Sequence, residues 1–306
     1  MLNYAVRRIL IAIPTFFGVS LLVFLMVRLL PGDPARIIAG LLASEEEVQR
    51  IRVFLGLDKP VHEQYFVFLA NLVRGDLGVS VRTNSPVIVE IAARLPYTFM
   101  LALTAMFIAI LIGIFVGVFS ARRLYSKADY LITTASLFGV SMPVYWLGII
   151  LILIFAVNLR ILPAAGAERP ESVVLPALTL ALFSSALLVR MTCSSMIEVF
   201  SQDYVRTARS KGLTERMVVY KHALRNALIP VVTVIGLQFG NLLGGAVLTE
   251  TVFAWPGIGR LLYESLMARD YPVIQGVVLV TAMIFIVINI VVDILYSYID
   301  PRIRYD

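Results

Sequence analysis

The chain has 306 residues, of which 59% are hydrophobic and 15% charged, whereas about 25% of the residues of an ordinary soluble domain are charged. A soluble fold of this length could not bury so much apolar side chain, so the composition predicts an integral membrane protein. The net charge of +6 bears on membrane orientation, and we expect no nucleic-acid partner. The single cysteine, Cys193, and two histidines far apart exclude an internal disulfide and give no metal-ligand spacing, so we expect no metal site.

The N-terminal apolar run follows Arg7 and Arg8, which is also the layout of a signal peptide. This run covers residues 9–30, which is too long for the hydrophobic region of a cleaved signal, and no A-x-A cleavage site follows it. We therefore expect a retained first transmembrane helix.

Six stretches approach the roughly 20 apolar residues that a transmembrane helix needs. They cover residues 9–30, 97–121, 132–157, 172–189, 229–249 and 273–295. None shows the period-2 alternation of a membrane β-barrel strand. Asp293 is the only acid among them, and Asn289 lies one turn earlier on the same face. A structural hydrogen bond is therefore favoured over a proton relay, which would need further acids in the spans.

The distribution of Lys and Arg predicts the orientation in the membrane. The N-terminus, loop 122–131, segment 190–228 and the C-terminal tail together hold 14 of these residues, whereas the two short loops on the other side hold 4. Segment 31–96 adds 7 on that second side together with 8 acids, but long loops carry little weight in this rule. We expect both termini and segment 190–228 in the cytoplasm and segment 31–96 outside.

Segment 31–96 is predicted to form a small helical cap on the outer surface. Ser44, with Glu47 three residues later, forms a capping box that opens one helix. Two further helices are predicted to begin at Pro60 and at Pro86, since proline is favoured at the start of a helix.

Segment 190–228 is the longest predicted cytoplasmic stretch, with 7 basic and 3 acidic residues. One helix is predicted from Asp203 to Arg209, then a break at Gly212 and a second helix capped by Thr214. The second helix is predicted to carry one apolar face formed by Leu213, Met217, Tyr220, Leu224, Ala227 and Leu228. Two interpretations remain open on physical grounds: a docking element for another protein, or an amphipathic surface helix on anionic lipid.

Several motifs, in this order along the chain, resemble the dipeptide/oligopeptide permease family of bacterial ABC importers, in the branch that includes glutathione importers. They read RLLPGDPAR (28–36), DYVRTARSKGL (203–213), HALRNALIPVVT (222–233), TETVFAWPGIGRLL (249–262), RDYPVIQ (269–275) and DPRIRYD (300–306).

The resemblance implies an all-α polytopic membrane protein with six transmembrane helices and a type I importer core. It divides the chain into 1–30, the outer segment 31–96, a five-helix core over 97–295 with coupling loop 190–228, and a cytoplasmic tail over 296–306. It implies localisation in the bacterial inner membrane, surrounded by lipid. It also implies a second homologous permease subunit, two cytoplasmic ATP-binding subunits and an extracytoplasmic substrate-binding protein as partners.

The resemblance also implies where the ATPases dock. The matching residues are Asp203, Arg206, Thr207, Ala208, Arg209, Lys211, Gly212 and Leu213. The general importer motif begins Glu-Ala-Ala, whereas the stretch here reads Arg206-Thr207-Ala208, so the docking salt bridge of that glutamate cannot be carried over.

The chain lacks the G-x-x-x-x-G-K-[ST] phosphate loop, so we expect it to be a transport subunit and not an enzyme, with no catalytic residue and no cofactor of its own. ATP and Mg²⁺ would be used by the partner subunits. Gly257-Ile258-Gly259 is only a fragment of a nucleotide pattern and predicts a tight turn. Force must then enter from a partner, and segment 190–228 is the predicted place.

The translocation path is predicted from polar and small residues in the spans, together with a proline that is expected to kink the third span. These residues are Met142, Pro143, Gln238, Gly240, Asn241 and Gly244. Gly240 and Gly244 have the G-x-x-x-G spacing that permits close helix approach, so packing alone is the alternative explanation for them. Gln238 and Asn241 lie mid-span, which favours the pore or an interhelical hydrogen bond over lipid.

The outer loop 249–272 is predicted to face the binding protein. Trp255 and Pro256 would form a rigid apolar tip, with Glu250 and Arg260 fixing its base and Gly257 beside it. In the competing interpretation the loop is a plug packed against the helix bundle.

The expected substrates are short peptides, either dipeptides, oligopeptides or glutathione, moved by alternating access. A permease for nickel or another small solute is the main alternative. An ion-coupled secondary transporter is a further alternative.

Overall fold

The computed structural model describes residues 2–29, 34–39, 43–54 and 56–299. Most of these residues are helical, and the only β contact among them is an isolated bridge between Val79 and Pro86. The all-α prediction is confirmed. The predicted tail over 300–306 and residues 30–33 of the first motif lie outside the described residues.

Fourteen helices occur in the described part of the chain. They are α1 Leu2–Leu29, α2 Pro34–Ala39, α3 Glu45–Phe54, α4 Val61–Val73, α5 Val87–Arg122, α6 Lys127–Ser141, α7 Val144–Leu151, α8 Val174–Phe200, α9 Asp203–Ser210, α10 Glu215–Met217, α11 Leu224–Gly245, α12 Val247–Val252, α13 Ile258–Ala268 and α14 Tyr271–Ile299. Helix α7 continues as a π-helical segment over Ile152–Asn158, and a second π-helical segment, Val218–Ala223, joins α10 to α11. A 3₁₀ turn, Pro170–Val173, precedes α8.

Apolar helices occur at all six predicted spans. Four are long and apolar enough to cross a membrane, over Val87–Arg122, Pro170–Phe200, Glu215–Leu243 and Tyr271–Ile294. The third predicted span is a pair of helices, α6 and α7 with its π-helical extension, bent by 105°. The apolar part of α1 covers Leu10–Met26.

Within the described residues, no break separates the outer segment from the second predicted span. The third cap helix, predicted to begin at Pro86, and the second span are one 36-residue helix, α5, which continues through Pro96. Proline removes one helical hydrogen bond, but packing on both sides of it can keep the helix intact. Here Val87 and Ile91 are buried against α13 and α14, which stabilises the turns before Pro96.

Helices α5 and α8 form the centre of the bundle. A Cβ on Gly113 would lie 2.4 Å from the Cβ of Leu188, and one on Gly117 would lie 2.6 Å from the Cβ of Thr192. The two glycines therefore permit a backbone approach that no larger residue would allow. Our sequence reasoning missed this pair, although its four-residue spacing was visible.

The two ends of the chain that flank the bundle are joined by an ion pair. Arg8 of α1 lies 2.7 Å from the carboxylate of Asp293 in α14. Asn289 instead donates to the backbone carbonyl of Phe285. The structural contact predicted for Asp293 is therefore made to another helix and not within its own.

The outer segment packs on the first helix. The predicted capping box is confirmed, because the Glu47 N–H donates to Ser44 Oγ over 3.3 Å and the Ser44 N–H donates to Glu47 Oε2 over 2.9 Å. Helix α4 lies against α1 through Tyr65, whose ring centroid is 5.1 Å from that of Phe24 and whose hydroxyl is 2.9 Å from Ser20 Oγ.

Candidate functional site

The segment over residues 203–223, here named the coupling element, begins with the short helix α9. Two residues of α9, Val205 and Ala208, are buried against Val218 of the following π-helical segment. Because alanine is small, the helix lies close to its neighbour. The predicted helix from Asp203 is confirmed.

Gly212 ends α9 in a left-handed conformation, with φ of +75°. Its N–H donates to the carbonyl of Arg209 over 2.9 Å, and the Leu213 N–H donates to the carbonyl of Ala208 over 3.4 Å. This pair of hydrogen bonds is the Schellman pattern, which closes a helix with glycine at the left-handed position. A Cβ at Gly212 would meet no atom within 4 Å, so the constraint is in the backbone angle and not in space.

An ion pair fixes the angle of the joint. The Arg209 guanidinium donates to both carboxylate oxygens of Glu215, over 2.8 and 3.2 Å. Exposed pairs of this kind contribute little stability, but two parallel hydrogen bonds restrict geometry. Sequence reasoning did not single out Glu215. Thr214 occupies the predicted cap position, yet its side chain makes no capping hydrogen bond, so that part of the prediction was wrong.

Most of the predicted docking residues lie on the free surface of the coupling element. The exposed ones are Asp203, Arg206, Thr207, Arg209, Lys211 and Gly212. Ala208 is buried against the chain's own Val218 and Leu213 is half-buried, so their positions correct the expectation that both are on the docking surface. Whether the exposed set contacts an ATPase stays a prediction.

The second helix of the coupling element continues without a break into the fifth span. Residues from Glu215 to Gly245 form one helical run that includes Pro230. The predicted apolar face is formed only in part. Ala227 is buried and Leu213, Leu224 and Leu228 are partly buried, whereas Met217 and Tyr220 are 40% and 45% exposed.

The π-helical segment explains this difference. Its wider turn shifts the register relative to an α-helix, so the buried residues are not those at α-helical spacing from Met217. They are Val218, Val219, Ala223 and Ala227. Val219, Ala223 and Ala227 pack against Val118, Ala121 and Met196 at the ends of α5 and α8.

The break between α6 and α7 lies at Met142 and Pro143. We expected a kink within one helix, but the two helices are bent by 105°. Met142 is extended, with φ −79° and ψ 137°, because a residue before proline avoids the helical region. Pro143 then begins α7.

A cavity of about 660 Å³ lies between this break and α11. Four of the predicted path residues line it: Pro143, Gln238, Gly240 and Asn241. Further lining residues that the sequence did not indicate are Tyr145, Phe183, Ser184, Thr249 and Phe285. Met142 is not among the described lining residues, and Gly244 lies in α11 with surroundings outside the described part.

Two glycines of the fifth span allow a close contact with α14. A Cβ on Gly236 would lie 2.3 Å from the Cγ2 of Val292, and one on Gly240 would lie 3.1 Å from the ring of Phe285. Gly236 and Gly240 therefore seat α11 against α14. The surroundings of Gly244, the second glycine of the predicted G-x-x-x-G pair, lie outside the described part of the chain.

The outer loop is packed into the bundle. Trp255 is 1% exposed, and its indole N–H donates to the carbonyl of Tyr97 over 3.0 Å. The prediction of an exposed apolar tip was therefore wrong, and the competing interpretation as a packed plug fits the structure. Packing is favourable for this side chain because the indole removes a large apolar area from solvent and its N–H still makes a hydrogen bond.

Glu250 anchors the plug. Its carboxylate is fully buried and accepts hydrogen bonds from Thr98 Oγ1 over 2.7 Å and from the Arg260 N–H over 3.0 Å. Burial raises the pKa of Glu250 and outweighs the opposing effect of these hydrogen bonds.

The Gly-Ile-Gly turn makes room for this carboxylate at the start of α13. A Cβ on Gly257 would lie 2.3 Å from Glu250 Cδ, and one on Gly259 would lie 2.8 Å from the Cα of Val247. A negative charge is favourable at this helix end. Arg260 contacts Glu250 through its backbone N–H, and its guanidinium donates to the carbonyl of Ala254 in the loop.

The sequence is similar to known membrane transport proteins. Residues 109–305 match the family model described as binding-protein-dependent transport system inner membrane component, and residues 1–102 match the N-terminal model of the same systems. The glutathione transport system permease protein GsiC of Escherichia coli K12 is 48% identical over 305 residues, covering 100% of both chains. The dipeptide transport system permease protein DppB of Alkalihalophilus pseudofirmus is 46% identical, also covering 100% of both.

A solved structure has the same fold. The MetNI methionine ABC transporter in inward-facing conformations matches with a TM-score of 0.58 and 18% identity, covering 69% of this chain and 96% of the other.

Proposed function

The chain belongs to the family of binding-protein-dependent transport system inner membrane components, and we propose that it is the permease subunit of an ATP-driven importer of short peptides. In this proposal the chain forms half of the pathway and changes shape when separate ATPase subunits close. Peptides would cross by alternating access, with the cavity at the α6–α7 break as part of the route.

The observation that carries this proposal is the unbroken helical run from Glu215 to Gly245. Its first turns belong to the coupling element, and the same run reaches Gln238 and Asn241 in the cavity wall. Twenty-six residues of helix correspond to about 39 Å. A displacement at the exposed joint around Gly212 would thus move the cavity wall as a lever.

Relatives support the substrate class. The chain is similar over its full length to a glutathione permease and to a dipeptide permease. The amide side chains of Gln238 and Asn241, beside the hydroxyls of Ser184 and Thr249, offer hydrogen-bond donors and acceptors that suit a peptide backbone. The aromatic residues around them give contact area without fixing a side-chain sequence.

The family supports the partner set. We propose one homologous permease subunit, two cytoplasmic ATPases at the coupling element, and an extracytoplasmic binding protein at the opposite end. The excess of Lys and Arg in the N-terminus, the coupling element and the tail supports cytoplasmic termini.

Uptake in cells tests the substrate. A strain lacking this chain, complemented with the wild-type chain, should regain uptake of labelled glutathione or of a labelled dipeptide. Nickel is the third arm, since a nickel permease is the main alternative. Restoration of nickel uptake alone would overturn the peptide assignment while leaving the importer assignment intact.

A further inference from the structure

Three arginines from three separate elements converge on one carboxylate beside the outer loop. Arg260 of α13 donates to Glu264 Oε1 over 2.8 Å. Arg82, in the turn before α5, and Arg94, in α5, lie 3.7 and 3.6 Å from Glu264 Oε2. Among the described residues, Glu264 is the acid that these three guanidinium groups approach within 4 Å.

The three arginines differ in how many hydrogen bonds their side chains make within the chain. Arg260 also donates to the carbonyl of Ala254 over 2.6 Å, so its guanidinium is part of the plug. The separations of Arg82 and Arg94 from Glu264 exceed hydrogen-bond length. Their side chains are 47% and 28% exposed, so their N–H groups can still donate to a carboxylate from outside.

Arg82 is held in place by a buried acid. Asp270, 2% exposed, accepts hydrogen bonds from Ser80 Oγ over 2.5 Å and from the N–H groups of Val81 and Arg82 over 3.2 Å each. This fixes the backbone of the turn to the start of α14. The backbone that carries Arg82 is therefore ordered within the chain, which lowers the ordering cost of binding.

The cluster lies at the end of the bundle opposite the coupling element. Arg94 is near the start of α5, whereas Val118 and Ala121 near its end pack on the coupling element. About 27 residues of helix separate Arg94 from Ala121, or about 40 Å. In the orientation of the proposed function, this end faces outward.

We propose that Arg82 and Arg94, supported by Arg260, form a docking surface for carboxylates on the extracytoplasmic binding protein. The inference rests on the proposed function, since it requires a partner that arrives from outside. Three arginines that share one partly exposed carboxylate, Glu264, leave a net positive face, which favours an acidic surface and accelerates its encounter. The cluster borders the packed outer loop, because Arg260 donates to Ala254 in that loop. A partner docked on the arginines would therefore lie beside the outer end of the translocation path.

The test is the concentration of binding protein that gives half-maximal stimulation of ATPase activity in the reconstituted transporter. Replacing both residues, Arg82→Gln with Arg94→Gln, should raise this concentration about 10-fold at low salt and flatten its dependence on ionic strength. Arg169→Gln removes an exposed arginine of another loop predicted on the same side, and it should leave the concentration unchanged. The charge-keeping variant, Arg82→Lys with Arg94→Lys, should stay within about 3-fold of wild type.

Each outcome has a defined meaning. An unchanged half-maximal concentration in the double glutamine variant would overturn the docking surface. So would an equal defect in the lysine variant, because charge would then not be the cause. A lower maximal rate at an unchanged half-maximal concentration would assign the arginines to a later step and also overturn it. Failure of the wild-type transporter to respond to any binding protein would instead refute the proposed function. If the double glutamine variant does not assemble, the two single variants replace it, each with a shift of about 3-fold expected.

Discussion

Single glycines in this chain act through different physical constraints. Gly212 needs a positive φ and has open space around it, whereas Gly117 has ordinary helical angles and no space. Gly257 leaves room for a buried carboxylate. The role of Gly212 could be predicted because a left-handed helix end follows from local sequence. The contact partner of Gly117 could not, since Thr192 lies far along the chain.

Substitutions at Gly212 separate backbone strain from charge. Gly212→Asn tolerates the left-handed conformation, whereas Gly212→Asp adds a charge at nearly the same shape, and Gly212→Ala adds strain of about 1 kcal/mol. We expect Gly212→Asp to lose substrate uptake and to weaken co-purification of the ATPases, because an unpaired carboxylate in an interface is costly. Insertion and pairing with the second permease should persist.

The asparagine variant is the matched control and should retain most uptake. Normal uptake with full ATPase binding in Gly212→Asp would show that this joint does not transmit force.

Substitutions at Trp255 test whether the outer loop is packed against the helix bundle. Trp255→Ala should destabilise the folded chain by about 3–5 kcal/mol, because it empties a buried aromatic site. Trp255→Phe should cost less, since it loses mainly the indole hydrogen bond to Tyr97. The measurement is thermal unfolding of the purified complex. A variant Trp255→Ala that unfolds like wild type, with a defect only in stimulation by the binding protein, would restore the exposed-tip interpretation.

Helices in this molecule are less interrupted than their sequences suggest. Helix α5 passes through Pro96 and the fifth span passes through Pro230, although a proline in a helix interior removes a hydrogen bond. At Pro143 the reverse holds, since a proline expected to kink a span separates two helices by 105°. A proline fixes only its own φ and the preceding residue, and tertiary packing decides whether the helix resumes.

The α5–α8 contact predicts a strong effect of a single methyl group. Gly117→Ala would place a Cβ 2.6 Å from Thr192 Cβ and 2.9 Å from the carbonyl oxygen of Val189, so the two helices must separate. We expect a loss of stability of about 1–3 kcal/mol, the usual range for overpacking. The readout is the yield and melting temperature of the purified complex.

Gly18→Ala is the control, because Gly18 lies in a helix with nothing within 4 Å of the added Cβ. It should be neutral or slightly stabilising. Equal behaviour of the two variants would mean that α5 and α8 are not closely packed.

At the scale of the whole molecule, composition and hydropathy were sufficient for the fold class and for the positions of the apolar helices. They could not locate the cavity, because its lining comes from α7, α8, α11 and α14 together. The packed plug was only the competing interpretation for a similar reason. Trp255 reads as a loop tip in sequence, but its partner is Tyr97, 158 residues away.

Orientation can be tested with single cysteines. In a background lacking Cys193, a cysteine in place of Glu46 should react with a membrane-impermeant reagent in intact cells. One in place of Arg216 should react only after the membrane is opened. Both positions are exposed in the chain, so lack of reaction reports the membrane barrier. Labelling of both in intact cells would contradict cytoplasmic placement of the coupling element.

The central claim is that this chain imports peptides only when separate ATPases drive it through the coupling element. The most direct measurement is accumulation of labelled glutathione or dipeptide in proteoliposomes that contain the complete complex and its binding protein. We predict accumulation that requires ATP and every partner subunit and that is lost in Gly212→Asp, and no ATP hydrolysis by this chain alone. Accumulation driven by a proton gradient without ATP, or ATPase activity of the isolated chain, would contradict the account.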